Sequence, residues 1–126
     1  MEERIGEDEP QPDGGVCEIY YSDTNNPPGS SSCGAMGSLD LDSNAACSID
    51  NVDIENVIYP SGAPTPGTYT VRVDYFAQCS ATGPVPYEVT VRANGATHVY
   101  CGSFLPTEAD NGSAGSGVTI TTFTVP

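Results

Sequence analysis

The clearest pattern along the chain is the alternation of apolar and polar residues in its middle. Every second residue is apolar between residues 68 and 79, and the alternation returns between residues 85 and 91. Successive side chains of a strand point to opposite faces, so each stretch predicts a strand with one buried face. We expect these two strands to pair antiparallel and to form the centre of the core. Their inward residues are Tyr69, Val71, Val73, Tyr75, Val85, Tyr87, Val89 and Val91.

Shorter stretches with the same character predict further strands, and no stretch shows sustained helical periodicity. Asn94-Gly95 is a strong signal for a two-residue hairpin turn. The apolar phase shifts between Ile120 and Phe123, which predicts a bulge. The predicted fold is all-β, an immunoglobulin-like antiparallel β-sandwich of about seven strands. The shorter strands are expected at residues 16–22, 37–41, 52–59, 96–101 and 118–125.

Charge is distributed unevenly along the chain. Seventeen acidic residues face only three basic ones, and the formal charge is −14. Residues 1–56 hold 13 of the 17 carboxylates, and the second half is nearly neutral. Nucleic acid and anionic membranes are therefore poor partners, whereas metal cations and basic protein patches are better ones.

The cysteines indicate an oxidising compartment. The chain has five cysteines and a single histidine, His98, with no C-x-x-C spacing. This pattern favours disulfides over a zinc site, and a secreted or cell-surface location. Since five is an odd number, one cysteine is left over or pairs with another chain. No stretch is apolar enough to be inserted into a membrane.

Three stretches of the sequence carry a resemblance to a known family. They are LDLDSNAAC at 39–47, NVDIENVIYPSGAPTPGTYTVRVDYFAQC at 51–79 and PVPYEVTV at 84–91. Together they resemble the YfaP-like domain of unknown function of bacterial secreted and surface proteins, over residues 16–126. The resemblance implies an immunoglobulin-type β-sandwich appended to larger extracellular proteins. It implies no biochemical activity, because the family has none that is agreed.

The resemblance also implies one of the disulfides. It places Cys47 and Cys79 at the ends of neighbouring strands, so this disulfide is the first choice. Cys17–Cys33 is the second choice and would close the loop between them. Cys101 would then be free or intermolecular. Cys17–Cys101 with a free Cys33 stays open as an alternative, because spacing alone does not fix connectivity.

The N-terminal residues depart from the family pattern. Family members usually open with a strand of the form D-L-D-L-H-V, where this chain has EDEPQPDGG at residues 7–15. We interpret residues 1–15 as an acidic N-terminal arm, disordered or docked, and residues 16–126 as the β-sandwich domain. A missing first strand would leave a sheet edge open. Either the arm folds back over the gap, or another subunit supplies a strand, which predicts a homo-oligomer or filament.

The stretch from Leu39 to Asn56 is rich in oxygen ligands and has no basic residue. Calcium takes six to eight oxygens in flexible geometry, so two strand ends could form a composite Ca2+ site. The spacing departs from an EF-hand loop at Ala45 and Asn51. The alternative interpretation is a solvated acidic face with Asx-turns. The candidate ligands are Asp40, Asp42, Asn44, Asp50, Asp53 and Glu55.

These observations predict a non-enzymatic protein. His98 has no serine or cysteine that the sequence ties to it as a triad, and the chain has no tryptophan to form a sugar platform. The predicted function is an extracellular structural or adhesive module, stabilised by calcium and self-assembling through the open edge. The alternative is a carbohydrate- or ligand-binding accessory module of a larger secreted protein, since tyrosine faces can stack on sugars.

Overall fold

The computed structural model describes residues 2–42, 47–48, 54–62 and 64–126. It confirms an all-β fold, whereas the immunoglobulin-like sandwich stays a prediction. The described part contains eight strands and a short 3-10 turn at Pro106–Glu108. The strands are β1 Glu2–Pro10, β2 Val16–Ile19, β3 Ser38–Leu39, β4 Val57–Ile58, β5 Gly67–Ala77, β6 Val85–Ala93, β7 Ala96–Phe104 and β8 Val118–Val125.

Four of the strands form one antiparallel sheet, in the order β2-β1-β5-β8. The remaining four form two antiparallel pairs, β3 with β4 and β6 with β7. β5 is the longest strand, with both of its edges taken, by β1 and by β8. The N-terminal strand and the C-terminal strand thus lie on either side of the same central strand.

The interpretation of residues 1–15 as an arm needs correction. Glu2–Pro10 forms strand β1 in the interior of the sheet, and the expected boundary after Gly15 falls in the turn between β1 and β2. Of the two alternatives, the chain's own N-terminal segment occupies the place beside β5. Strand donation between subunits was inferred from a missing first strand. At the sheet position beside β5 no strand is missing, so this inference is wrong there.

The predicted pairing of β5 with β6 is also wrong. β6 pairs with β7 through the Asn94-Gly95 turn, in which both residues have positive φ angles of 54° and 76°. A two-residue turn of this type fixes the pairing of the strands on either side of it. Because β1 and β8 take both edges of β5, β6 can meet β5 only through side chains.

Two apolar clusters pack against the same face of the sheet, which we call the inner face. One joins β5 to the β6–β7 hairpin and contains Val71, Val73, Tyr75, Val85 and Val89, as the alternation predicted, together with Phe104, which it did not predict. The other lies under β3 and β4 and contains Cys17, Ile19, Ala35 and Leu39. The bulge predicted near Ile120 is confirmed, because the pairing of β5 with β8 skips that residue. No helix in the described ranges has the length and apolar character that a membrane crossing requires.

Candidate functional site

The first candidate calcium ligand, Asp40, holds two strands together. Its carboxylate accepts hydrogen bonds from the backbone N–H of Asn56 at 2.8 Å and from the Asn56 side-chain amide at 2.9 Å. The backbone N–H of Asp40 donates in return to the Asn56 carbonyl at 3.0 Å. Asp40 therefore extends the pairing of β3 with β4 beyond the strand ends.

Asp42, the second candidate, lies beside a cation of the protein itself. Its carboxylate is 3.5 Å from the Arg4 guanidinium of β1. The guanidinium carbon lies 3.6 Å from the ring centroids of both Tyr21 and Phe76, and Arg4 is buried. Aromatic faces attract a cation, so the two rings hold the positive charge in place. Part of the negative field of the acidic stretch is thus taken up by Arg4.

Glu55 also contacts β1. Its carboxylate accepts a hydrogen bond at 3.0 Å from the backbone N–H of Ile5. That N–H points away from β5, towards the side of β1 on which β2 pairs. Because β2 ends opposite Glu7 and does not reach Ile5, Glu55 takes the place of a strand partner. Among the described candidates, Asp42 and Glu55 anchor β1, and Asp40 ties β3 to β4.

Three candidate ligands, Asn44, Asp50 and Asp53, lie outside the described residues. The structure therefore brings Asp40, Asp42 and Glu55 to the neighbourhood of β1 and β4 without testing the composite site. Binding of Ca2+ by this set stays a prediction.

Two buried glutamates on the inner face of β1, Glu7 and Glu9, were not among the predicted site residues. Glu3, Ile5, Glu7 and Glu9 alternate on this face, opposite core residues of β5 and β2. Glu9 is completely buried, and its carboxylate accepts the backbone N–H groups of Met36 and Gly37 at 2.9 and 3.2 Å. The two backbone donors satisfy the hydrogen-bonding requirement of a carboxyl group that has no contact with solvent.

Glu7 has a different environment. It is buried, and its carboxylate accepts a hydrogen bond from the Tyr59 hydroxyl. Burial raises the pKa of Glu7 from 4.5 to about 7, although the Tyr59 hydrogen bond acts in the opposite direction. Burial and the charge of Glu7 also raise the pKa of Tyr59. Near neutral pH, Glu7 is therefore a proton-exchanging carboxyl group within the inner layer.

The opposite face of the sheet carries a compact ion cluster. The Arg72 guanidinium binds the Asp8 carboxylate with two hydrogen bonds of 2.9 and 2.7 Å and also contacts the Glu18 carboxylate. Arg72 lies opposite Gly6, where a side chain would approach a Glu18 oxygen to 3.1 Å. The glycine therefore leaves the path open for Arg72 to reach across β1. The hydrogen bonds to Asp8 contribute most to raising the pKa of Arg72.

A pair of carboxyl groups lies towards the C-terminal end of β5. Asp74 is buried, and burial together with a hydrogen bond to Asp110 raises the pKa of Asp74 to about 7, against the lowering effect of Arg4. The loop that carries Asp110 is attached to the end of β5, since the N–H groups of Asp110 and Asn111 bond to the Tyr75 and Phe76 carbonyls. The contact between Asp74 and Asp110 therefore lies where the loop meets the sheet.

The structure contains the two disulfides that were first and second choice, Cys47–Cys79 and Cys17–Cys33. Cys101 on β7 is free and exposed. In the described ranges, one group of potential metal ligands comes within 4.8 Å, and it consists of Cys17, Cys33 and Asp23. Both sulfurs of this group are consumed in a disulfide, so they offer no thiolate to a metal. The two disulfides fit the expected oxidising compartment.

Comparison of the chain with protein-family models, with curated proteins and with solved structures finds no match in any of the three.

Proposed function

We propose that this domain is an extracellular, non-enzymatic structural or adhesive module that carries tension between its first and last strands. The observation that supports the proposal is the placement of β1 and β8. Both pair antiparallel with β5, β1 through seven residue pairs and β8 through another seven. Glu2 lies opposite Ala77 at one end of β5, and Val125 lies opposite Gly67 at the other end.

This placement determines how a pulling force acts on the sheet. Hydrogen bonds of an antiparallel ladder run perpendicular to the strands. A force that pulls the start of β1 and the end of β8 apart acts along the strands, so each ladder is loaded in shear. All bonds of a ladder then resist together, whereas a force perpendicular to the strands opens them one after another.

The chemistry of the buried groups supports a structural role. Glu9 binds the backbone of Met36 and Gly37, and Arg72 binds Asp8 and Glu18 across three strands. These groups hold segments of the chain together rather than facing a substrate. His98 is exposed on β7 and lies 6.5 Å from the ring of Tyr100.

The carbohydrate-binding alternative has less support. Stacking on a sugar requires an aromatic ring that is open on one face. All seven tyrosines are described, and each is buried or partly buried. Tyr69 and Tyr75, which lie on the face where stacking was considered, are only 1% exposed.

Single-molecule pulling in two geometries tests the proposal. Handles at residues 1 and 126 load the ladders in shear, and handles at residues 1 and 78 unzip β1 from β5, because Glu2 and Ala77 are neighbours. We expect the unfolding force to be higher in shear by roughly twofold or more. Equal forces in the two geometries would contradict the proposal. The matched control is the same pair of measurements on protein with both disulfides reduced.

The same pulling measurement tests the predicted calcium site. If Asp40, Asp42 and Glu55 contribute to a Ca2+ site with the remaining candidates, calcium should raise the unfolding force relative to EDTA, with magnesium as the control ion. No change with calcium would leave the acidic stretch as an anchor for β1 alone.

A further inference from the structure

A groove lies between β4 and β6 on the inner side of the sheet. It consists of two adjoining cavities of about 520 and 570 Å3, which share Ile5, Glu55 and Thr90 among their lining residues. One wall is the chain from Ile54 to Gly62, and the other is β6 from Pro86 to its end. The floor includes Val71 and Val73 of β5.

The β6 wall presents a backbone edge to the groove. Ala93 pairs with Ala96 around the two-residue turn, so Ala93 and every second residue before it bond to β7. The N–H and C=O groups of Glu88, Thr90 and Arg92 consequently point away from β7. Pro86 fits this register, since its missing N–H is on the same side. Within the described ranges, no strand pairs with this edge of β6.

The groove has an acidic lining. Glu3, Glu55 and Glu88 line its cavities, and Glu7 lies at its floor. The basic residues of the lining are Arg4 and Arg92. Glu3, Glu55 and Glu88 outnumber these two arginines, so the formal charge of the lining is negative.

We propose that this groove binds an extended segment of a partner protein that carries a lysine or arginine, and that the segment adds a strand to the free edge of β6. Main-chain hydrogen bonds to an exposed strand edge provide affinity in this mode of recognition, and pockets for alternate side chains provide specificity. A segment of about seven residues would span roughly 23 Å, which is the length of strand that β6 offers.

The charge decides which partner fits. Alternate side chains of the added strand would face the groove, where the partly buried Ile5 and Val57 offer apolar contact and Glu55, which also accepts the Ile5 N–H, offers a carboxylate. A basic side chain between apolar ones matches this surface. A second copy of the chain is a poor occupant, since it has no lysine and a formal charge of −14. The binding would add a partner to the proposed structural role and does not depend on that role.

Titration of labelled protein with synthetic peptides tests the inference. The probe is an acetylated peptide of about nine alternating threonine and valine residues with a central lysine, and the control peptide has norleucine at the centre. We expect the lysine peptide to shift the NMR signals of β6 and residues 54–60 and to slow amide exchange at Thr90 and Arg92. The norleucine peptide should bind roughly two- to fivefold more weakly. Shifts confined to β2 or β8 would overturn the inference.

Two variants separate the backbone contribution from the side chains. Thr90→Pro removes one N–H from the free edge and leaves the bonds to β7 intact, so it should abolish slowing of exchange at this edge, whereas Thr90→Ala should bind normally. Glu55→Gln keeps an acceptor for Ile5 and should weaken the lysine peptide roughly two- to fivefold.

Equal binding by Thr90→Pro and Thr90→Ala would overturn the inference. If Thr90→Pro does not fold, a peptide with N-methyl groups on alternate amides removes the same bonds from the ligand side, and undiminished binding of that peptide would also overturn it. Self-association of the protein that displaces the peptide would show that a second copy is the occupant, contrary to the proposal.

Discussion

β1 and the β6–β7 hairpin both contribute side chains to the inner face, and they do so with opposite kinds of residue. The hairpin covers β5 with Val85, Val89 and Phe104, whereas β1 brings Glu7 and Glu9 to the same side of the sheet. An apolar side chain needs only a cavity of the right shape. A buried carboxyl group needs a hydrogen-bond donor in one position or a proton from solvent. The hairpin region should therefore be insensitive to pH, and the β1 region should depend on pH and on individual distant contacts.

Removal of an aromatic ring from the hairpin region should have the largest effect. Phe104 is buried and packs against the rings of Tyr75 and Tyr87, with centroids 5.6 and 5.2 Å away. Phe104→Ala should lower the free energy of unfolding by about 3–5 kcal/mol, through lost burial and the cavity left behind. Urea unfolding at pH 5 and pH 8 should give the same loss. Val99→Ala, at an exposed position of the same strand, is the control. A loss for Phe104→Ala that depends on pH would contradict the expected difference between the hairpin and β1.

Removal of the cation beside β1 should have the next largest effect. Arg72→Ala leaves the Asp8 and Glu18 carboxylates, whose side chains are 23% and 13% exposed, without their counter-charge. We expect a loss of about 2–4 kcal/mol, reduced from that of a fully buried pair because water reaches Asp8. Arg92→Ala, at an exposed position, should change stability by less than about 0.5 kcal/mol. Equal effects of the two substitutions in thermal unfolding would mean that the cluster does not hold β1.

The pH dependence that Glu7 contributes should be the smallest of the three effects and is specific to β1, and Asp74 of β5 adds a separate contribution of the same sign. The folded state raises the pKa of Glu7 from 4.5 to about 7, and that of Asp74 from 3.8 to about 7. The protonated forms are therefore favoured by folding, and this stabilisation is complete below the unfolded pKa and lost as pH rises through about 7. For Glu7 the loss is on the order of 2–3 kcal/mol.

Glu7→Gln isolates this contribution. Glutamine is a neutral isostere of the protonated acid and can still accept the Tyr59 hydrogen bond. Stability measured by urea unfolding should fall less between pH 5 and pH 8 in the variant than in the parent, with the two proteins alike at pH 5. Asp74→Asn tests the second group in the same way. Parallel pH profiles of parent and Glu7→Gln would assign the slope to the other carboxylates of this acidic chain.

The same comparison explains which parts of the fold the sequence predicts. The strand at residues 118–125 and the alternation of β5 and β6 follow from a local pattern of period two, and those strands form where expected. β1 was missed because its inner positions are glutamates, whose burial depends on Tyr59, Met36 and Gly37 far along the chain. The predicted pairing of β5 was wrong because the partners of a strand depend on the whole sheet. No local sequence pattern indicates that β1 and β8 pair with the two edges of β5.

The candidate site shows a similar limit. The acidic stretch has no basic residue of its own, so its sequence predicts that a metal ion from solution balances its charge. Arg4, which stands beside Asp42, lies 38 positions earlier and is presented by a strand that the pattern did not predict. The groove beside β6 is still harder to foresee, since it depends on which strand edges remain without a partner.

The acidic character of β1 has a consequence for the newly made chain. β1 emerges before its principal partner, since Asp8 and Arg72 are 64 positions apart. An apolar strand exposed for that interval would be a template for aggregation, and charged residues are the usual protection. The glutamates that prevent the prediction of this strand from its sequence should also keep the unpaired segment soluble. Their hydrogen-bond partners and counter-charges come from segments that are synthesised later.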